Sequence, residues 1–324
     1  PLHVPGKDDT IDLSEFLRTP YGAQAHCATA IVKALDRQKT VMMVAECGTG
    51  KTITSIVACH SHAKGKPYRA IVMVPPHLVG KWCREVDSTI AGAKIRAIKT
   101  YKDVTPLLGA DKPEVPEWYI ISQSSAKLGT TWRAAFATKK RAIGIPFCPS
   151  CGHAVMKMDK QTKLQVPVSP KFLGKRKTDC SNCLEPLWQW ERNIDRWPVA
   201  TYVHKHLKGT FDYFVVDEAH EMKGDTTARA NAMGSLAAAS KKVITLTGTM
   251  IGGYADHLRT MLFRLCPSTL VEENIRWRDR MLFNERYGRI ETVTYEKGSS
   301  GSSDDNAMSK GRQVSCRRSV KPGV

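Results

Sequence analysis

The chain of 324 residues is strongly basic: Lys and Arg number 49 and Asp and Glu 31, which gives a formal net charge of +18. Such a balance attracts polyanions, so nucleic acid is the expected partner. The sequence contains no apolar run near the roughly 20 residues that cross a bilayer and no N-terminal signal pattern. We therefore expect no membrane partner and a cytoplasmic protein, or a nuclear one if the source is a eukaryote.

Strand and helix patterns alternate along the chain. Apolar spacing predicts, in order, helix 23–37, strand 41–46, helix 51–60, strand 70–74, helix 77–89, strand 93–98 and strand 117–122. After a segment of different composition come helix 199–208, strand 211–216, helix 226–240 and strand 243–246. This alternation predicts the α/β class, with a parallel sheet flanked by helices on both faces.

The segment 45–52 reads Ala-Glu-Cys-Gly-Thr-Gly-Lys-Thr and lies at a predicted strand-to-helix turn. Its glycines would let the backbone curl, so that N–H groups and the positive end of the helix dipole point at phosphate oxygens. Alanine replaces the first glycine of the usual pattern, and it is small enough to be tolerated. The alternative is a glycine-rich turn without a ligand. The residues predicted to bind a nucleoside triphosphate are Gly48, Thr49, Gly50, Lys51 and Thr52, with Lys51 on the β- and γ-phosphates and Thr52 on magnesium.

The segment 217–220, Asp-Glu-Ala-His, directly follows the predicted strand 211–216. Ligands bind at the carboxyl ends of the strands in open α/β sheets. Asp217 is expected to contact magnesium, and Glu218 to orient or deprotonate an attacking water. An acidic pair alone is weak evidence, but together with the phosphate loop it predicts a nucleoside-triphosphate hydrolase.

These motifs resemble those of the superfamily 2 helicases and translocases, and among them the Swi/Snf-type ATPases. The resemblance implies that Gln24 reads the adenine edge and that the block 71–82 lies along a nucleic-acid backbone. It also implies that His220 links nucleotide to nucleic acid. Within the block 246–251, Thr247 and Thr249 are expected to bind at the nucleotide site and to couple hydrolysis to movement of the nucleic acid.

The resemblance covers about residues 15–265 and implies a RecA-like lobe of an ATP-dependent translocase or helicase. The Swi/Snf-like blocks favour duplex DNA as the substrate. No second-lobe block with its glutamine-and-arginine pattern follows Thr249. We therefore expect the chain to be the amino-terminal lobe of a longer motor, whose second RecA-like lobe supplies arginines to the transferring phosphate. An RNA helicase or a restriction-type motor subunit is the alternative.

Four of the ten cysteines form two Cys-x-x-Cys pairs, Cys148 with Cys151 and Cys180 with Cys183. Two such pairs are typical of a zinc ribbon, in which each pair gives two thiolates to one tetrahedral ion. The spacer between them is longer than the common 15–20 residues or so. Two disulfides, which a reducing compartment disfavours, and four unrelated thiols are the alternatives. The four cysteines are the predicted ligands of a structural zinc.

These signals divide the chain into four segments. Residues 1–145 form the first part of the ATPase lobe, 146–190 a zinc-binding insertion, 191–266 the remainder of the lobe, and 267–324 a helical extension with an interlobe segment. Within the last segment, the Gly- and Ser-rich stretch 298–306 is flexible by composition. The insertion is basic and could contact a phosphate backbone or an acidic partner. An alternative function of another class is therefore a nucleic-acid or protein docking module built on the insertion.

Overall fold

A computed structural model of the chain describes residues 1–127, 132–139, 142–159, 161–173, 178–183, 187–190, 197–222, 227–249, 255–293 and 313–317. The chain folds into two compact units, one of Pro1–Leu128 with Pro198–Val324 and one of Gly129–Trp197. The stretch 298–306, predicted to be flexible, lies outside the described residues.

Helices and strands alternate through the first part of the chain as predicted. In chain order they are α1 (Gly22–Arg37), β1 (Thr40–Val44), α2 (Lys51–Ala63), β2 (Arg69–Val74), α3 (Val79–Asp87), β3 (Lys94–Ile98), β4 (Glu117–Ser122), α4 (Gln123–Lys127), β5 (Trp132–Ala134), β6 (Met156–Met158), β7 (Gln165–Pro167), α5 (Pro170–Leu173) and β8 (Trp188–Trp190). The rest are α6 (Val199–His206), β9 (Tyr213–Val216), α7 (Ala228–Ala239), β10 (Lys242–Thr247), α8 (Ala255–Leu265), α9 (Pro267–Glu272), α10 (Arg280–Tyr287), β11 (Arg289–Val293) and β12 (Gln313–Arg317).

A six-stranded parallel sheet forms the centre of the first unit, with the strand order β1-β10-β9-β2-β4-β3. Every residue of β2 and β9 is buried, because helices cover both faces of the sheet. Along β2 the side chains alternate between two hydrophobic clusters: Ile71 and Met73 pack with α6, α7 and α8, whereas Val72 and Val74 pack with α1, α2 and α3. The predicted α/β architecture is confirmed.

Two differences from the predicted elements have local causes. Strand β1 ends at Val44 rather than at residue 46, because Ala45 and Glu46 already belong to the loop that leads to α2. No helix is predicted over 255–265, yet α8 forms there and buries Leu258, Met261 and Leu265 in the cluster on the α6–α7 side. Among the described residues, no helix combines the length and apolar character that a bilayer crossing requires.

The second unit, Gly129–Trp197, is wider than the insertion predicted at 146–190. It contains two short antiparallel pairs, β5 with β8 and β6 with β7. Its described hydrophobic core is small and consists of Cys148, Val155, Val168, Leu173, Cys180 and Leu187. Two of these six residues belong to the Cys-x-x-Cys pairs.

Candidate active site

Three adjacent strands bring the predicted motifs to one edge of the sheet. The phosphate loop follows β1, the acidic motif follows β9, and β10 lies between them. The backbone N–H of Ala45 donates to the carbonyl of Thr247 at 3.0 Å. A Cβ atom added at Gly248 would lie 3.7 Å from both Ala45 O and Cys47 Sγ and 4.0 Å from Lys51 Nζ. The segment after β10 therefore contacts the phosphate loop directly.

The two glycines of the loop have left-handed backbone angles, with φ of +86° at Gly48 and +85° at Gly50, which side chains other than glycine rarely adopt. A Cβ atom at Gly48 would meet open space, whereas one at Gly50 would overlap Gln24 Nε2. Gln24 Nε2 donates to the carbonyl of Thr49 at 3.0 Å, and Gln24 Oε1 accepts from the N–H of Tyr21. Gln24 thus caps α1 and contacts the phosphate loop at the same time.

Lys51 begins α2 and is held by the loop itself. Its ammonium donates to the carbonyls of Ala45 and Glu46, each at 3.0 Å, and the residue is buried. The hydroxyl of Thr49 closes the same turn by donating to Glu46 O at 2.8 Å. Thr52, the next residue of α2, is half-buried. Phosphate oxygens would compete with the two loop carbonyls for the protons of Lys51.

Asp217 follows β9 and is nearly inaccessible, with 5% of its surface exposed. Its Oδ1 accepts from the N–H of Glu218 at 2.9 Å, and its Oδ2 accepts from the indole N–H of Trp82 at 3.0 Å. No sequence signal indicated the second contact, since the two residues lie 135 positions apart. Trp82 is the last residue of the block 71–82.

Glu218, His220 and Thr247 form a chain of polar contacts from the acidic motif to β10, in which an ion-pair contact is followed by a hydrogen bond. His220 Nδ1 lies 3.1 Å from both Glu218 Oε2 and Thr247 Oγ1. The Thr247 hydroxyl donates to Thr249 O at 2.8 Å. A hydroxyl has one proton, so Thr247 accepts from His220, and Nδ1 of His220 carries a hydrogen. Residues 250–251 of the predicted block lie outside the described residues.

Two oxygen-bearing side chains of the predicted site suit a hard cation. The Thr52 hydroxyl and the Asp217 carboxylate supply oxygen ligands of the kind that Mg²⁺ prefers. Thr52 lies on α2, which follows β1, and Asp217 lies at the end of β9. In the described part of the chain, no hydrogen bond joins Thr52 to Asp217. The structure thus brings Gln24 and the segment after β10 into contact with the phosphate loop. It also brings Glu218 and His220 of the acidic motif into contact with each other and His220 into contact with Thr247.

The four cysteines of the second unit form one cluster, in which all four Sγ atoms lie within 4.8 Å of one another. Cys148 and Cys183 are 3.6 Å apart, and Cys151 and Cys180 are 3.7 Å apart. Tetrahedral zinc with bonds of about 2.3 Å would separate sulfur atoms by about 3.8 Å, whereas a disulfide requires about 2.05 Å. The pKa of the Cys151 thiol is lowered to about 6, and the largest cause is a hydrogen bond from the backbone of His153. The cluster could therefore hold zinc.

The chain is similar to a known protein family and to solved structures. The family model of the SNF2-related domain matches residues 23–303. The Sulfolobus solfataricus SWI2/SNF2 ATPase core domain superposes with a TM-score of 0.50 at 13% identity, over 88% of this chain and 41% of that one. The core of the same organism in complex with dsDNA gives a TM-score of 0.49 at 13% identity, over 86% and 41% of the two chains.

The chain spans about two fifths of the length of these solved structures. A comparison with curated protein sequences gave no match. The family model, however, includes the phosphate loop, the acidic motif and the Thr247 segment, and it covers most of the chain. The chain therefore belongs to the SNF2-related domain family, as a RecA-like lobe of the Swi/Snf type.

Proposed function

We propose that this chain binds and hydrolyses ATP as one lobe of a motor that moves along nucleic acid, with duplex DNA as its track. The observation that supports this most directly is the meeting of the phosphate loop and the Thr247 segment at one sheet edge, with His220 joining Thr247 to Glu218. A scaffold without hydrolytic activity has no physical need for this connection. Membership of the Swi/Snf type favours duplex DNA over RNA.

The side chains divide the chemistry among them. Lys51 would exchange its bonds to Ala45 and Glu46 for bonds to phosphate oxygens, while Gln24 would read the adenine. Thr52 and Asp217 would hold magnesium, which when bound neutralises phosphate charge. Glu218 would accept a proton from the attacking water.

The contact between Glu218 and His220 supplies the coupling. His220 Nδ1 is hydrogen-bonded to the Thr247 hydroxyl and lies 3.1 Å from Glu218 Oε2, so a movement of the Thr247–Thr249 segment would carry the imidazole and change its contact with Glu218. Nucleic acid that displaces this segment would thereby alter hydrolysis. A second RecA-like lobe would supply the arginines that stabilise the transferring phosphate, a contribution of about 10³–10⁵ in rate in related enzymes.

In this proposal the second unit is a zinc-stabilised insertion in the ATPase lobe, with Cys148, Cys151, Cys180 and Cys183 as ligands. Its role is structural in the first place, because a closed four-thiolate site leaves zinc no open position for a substrate. The lobe on either side of it would comprise 1–128 and 198–266, followed by the extension 267–324.

Binding of a fluorescent ATP analogue, and hydrolysis with and without duplex DNA, single-stranded DNA and RNA, test the proposal. Lys51→Ala should weaken nucleotide binding at least tenfold, because phosphate loses a charged donor. Glu218→Gln should keep binding but lower any hydrolysis by about 10² or more. Lys64→Ala, at the exposed end of the same helix, is the control and should change neither quantity.

The hydrolysis measurements with the different nucleic acids distinguish the proposed motor from an RNA helicase and from a docking module. Faster ATP hydrolysis with duplex DNA supports the proposal, whereas faster hydrolysis with RNA alone would support the alternative that the chain is part of an RNA helicase. If Lys51→Ala binds nucleotide as the parent does, the phosphate loop is not a nucleotide site. If nucleic acid binds equally well with and without nucleotide in every variant, the chain is a docking module.

A further inference from the structure

The carboxylate predicted to hold magnesium is fixed from two sides. Glu218 donates its backbone N–H to Oδ1 of Asp217, and Trp82 donates its indole N–H to Oδ2. Because the two donors bind different oxygens, they fix the rotation of the carboxylate about its Cβ–Cγ bond. Each oxygen still has a lone pair for a further ligand. The indole therefore orients the carboxylate without blocking it.

Trp82 cannot change its position independently of α3. Its side chain is fully buried, as is that of Val86 one helical turn later, and both pack in the cluster that contains Val72, Val74 and Trp118. A close-packed core resists the rotation of a ring of this size. The position of the indole N–H at Asp217 is thus set by the position of the helix.

The opposite face of α3 is exposed and carries two cations, Lys81 and Arg84, whereas the acidic residues of the helix are Glu85, which pairs with Arg18, and Asp87 at the last position. Gly80, Lys81 and Arg84 are exposed, and the guanidinium of Arg84 lies near Gly80, with Nη1 3.6 Å from where a Cβ atom of residue 80 would be. In the described part of the chain, neither Lys81 nor Arg84 has an ion-pair partner. Two free cations on one helix turn are suited to phosphate groups of a nucleic-acid backbone.

We propose that Trp82 is a positioning residue that connects nucleic-acid binding on the exposed face of α3 to the orientation of Asp217. The inference rests on the proposed function and adds to it a second route between nucleic acid and nucleotide. A phosphate backbone bound at Lys81 and Arg84 moves α3, α3 moves the indole, and the indole turns the carboxylate that binds magnesium. Nucleic acid thereby changes the affinity for the magnesium–nucleotide complex through a route separate from His220.

Trp82→Phe tests the link, because phenylalanine keeps an aromatic ring in the core but has no N–H. The control is Trp118→Phe, an equally buried tryptophan of the same cluster, which packs edge-on against Tyr68. The readout is the affinity for fluorescent ADP, measured with Mg²⁺, with EDTA, and with Mg²⁺ plus a duplex oligonucleotide.

For Trp82→Phe we expect about a tenfold loss of affinity with Mg²⁺, the scale of one hydrogen bond to a charged group, and unchanged affinity in EDTA. We also expect duplex DNA to lose its effect on nucleotide affinity. Trp118→Phe should match the parent in all three conditions. An equal loss with and without Mg²⁺, or the same loss in Trp118→Phe, would show a merely structural role and overturn the inference.

A measurement on the unmodified chain covers the case in which Trp82→Phe does not fold. With ADP bound, Mn²⁺ in place of Mg²⁺ should broaden one of the seven tryptophan indole N–H resonances before the others. Equal broadening of all seven, or of none while nucleotide is bound, would contradict the link. If the unmodified chain binds no magnesium nucleotide at all, the proposed function fails, whereas binding that is insensitive to Trp82 overturns only this inference.

Discussion

Gly50 and Gln24 are matched at the scale of single residues. The left-handed backbone of Gly50 directly precedes α2, and the space that a side chain would need there is filled by the amide of Gln24. That amide donates to Thr49 O, so the residue predicted to read adenine also supports the loop predicted to bind phosphate. Glycine is therefore required at position 50 for two reasons: the left-handed φ angle, and the lack of space for a Cβ atom beside Gln24.

Gly50→Ala should lower nucleotide affinity at least tenfold and stability by about 2–3 kcal/mol, because it adds a clash to the backbone strain. Gly65→Ala is the control: Gly65 has φ of +72°, but a Cβ atom there would meet nothing within 4 Å. Gly65→Ala should lower the free energy of unfolding by about 1 kcal/mol and leave nucleotide affinity unchanged. Fluorescence titration and urea unfolding measure both effects, and equal behaviour of the two variants would contradict the role of Gln24.

At the scale of elements, an ion pair joins β2 to β4 at the start of both strands. Arg69 and Glu117 face each other in the register, and Arg69 Nε lies 2.8 Å from Glu117 Oε2 with both side chains mostly buried. Arg69 also donates to Asp111 O, and the Tyr119 hydroxyl donates to Glu117. Burial, followed by the charge of Glu117, raises the pKa of Tyr119 to about 12. Its hydroxyl therefore remains a donor throughout the neutral range.

Glu117→Ala should lower the free energy of unfolding by about 3 kcal/mol, because it leaves Arg69 buried without its countercharge. Glu85→Ala removes the partner of Arg18 in an exposed pair and should cost less than about 1 kcal/mol. Urea denaturation at neutral pH compares the two variants. A smaller loss for Glu117→Ala than for Glu85→Ala would show that Arg69 finds sufficient compensation elsewhere.

The sequence predicts elements whose signals are local, and it misses contacts that depend on packing. A short apolar run predicts the strand β9, and the glycine pattern before α2 predicts the start of that helix. The position of the acidic motif at the end of β9 can be predicted from the first of these signals. The bond between Trp82 and Asp217 has no local signal, since only the order of the strands brings the two residues together. The helix α8 is missed because its apolar positions become informative only beside α7.

At the scale of the whole molecule, the two units differ in how they are stabilised. The first contains two extensive hydrophobic clusters, one on each face of its sheet. The second has a small described core that includes Cys148 and Cys180. A domain with so little apolar surface commonly depends on a bound metal for its folding. Loss of zinc should therefore affect the second unit alone.

Cys151→Ser should reduce bound zinc from about one per chain to a small fraction, because the site loses one of four thiolates. Limited proteolysis should then become much faster within 129–197, while nucleotide affinity stays within about twofold of the parent value. Cys27→Ser, which changes an exposed thiol outside the cluster, is the control and should retain zinc and protease resistance. Equal protease resistance of the chain with and without zinc would contradict a structural role for the metal.

Glu218 has a left-handed backbone, with φ of +52°, a conformation that costs a residue other than glycine about 1–2 kcal/mol. Stability and activity therefore select different residues at this position. A library screened only for resistance to heat would enrich glycine or asparagine at position 218, whereas one screened for ATP turnover would keep glutamate. Consensus or stability-guided redesign of this lobe should for that reason leave position 218 unchanged, since the substitution that most relieves the backbone also removes the carboxylate beside His220.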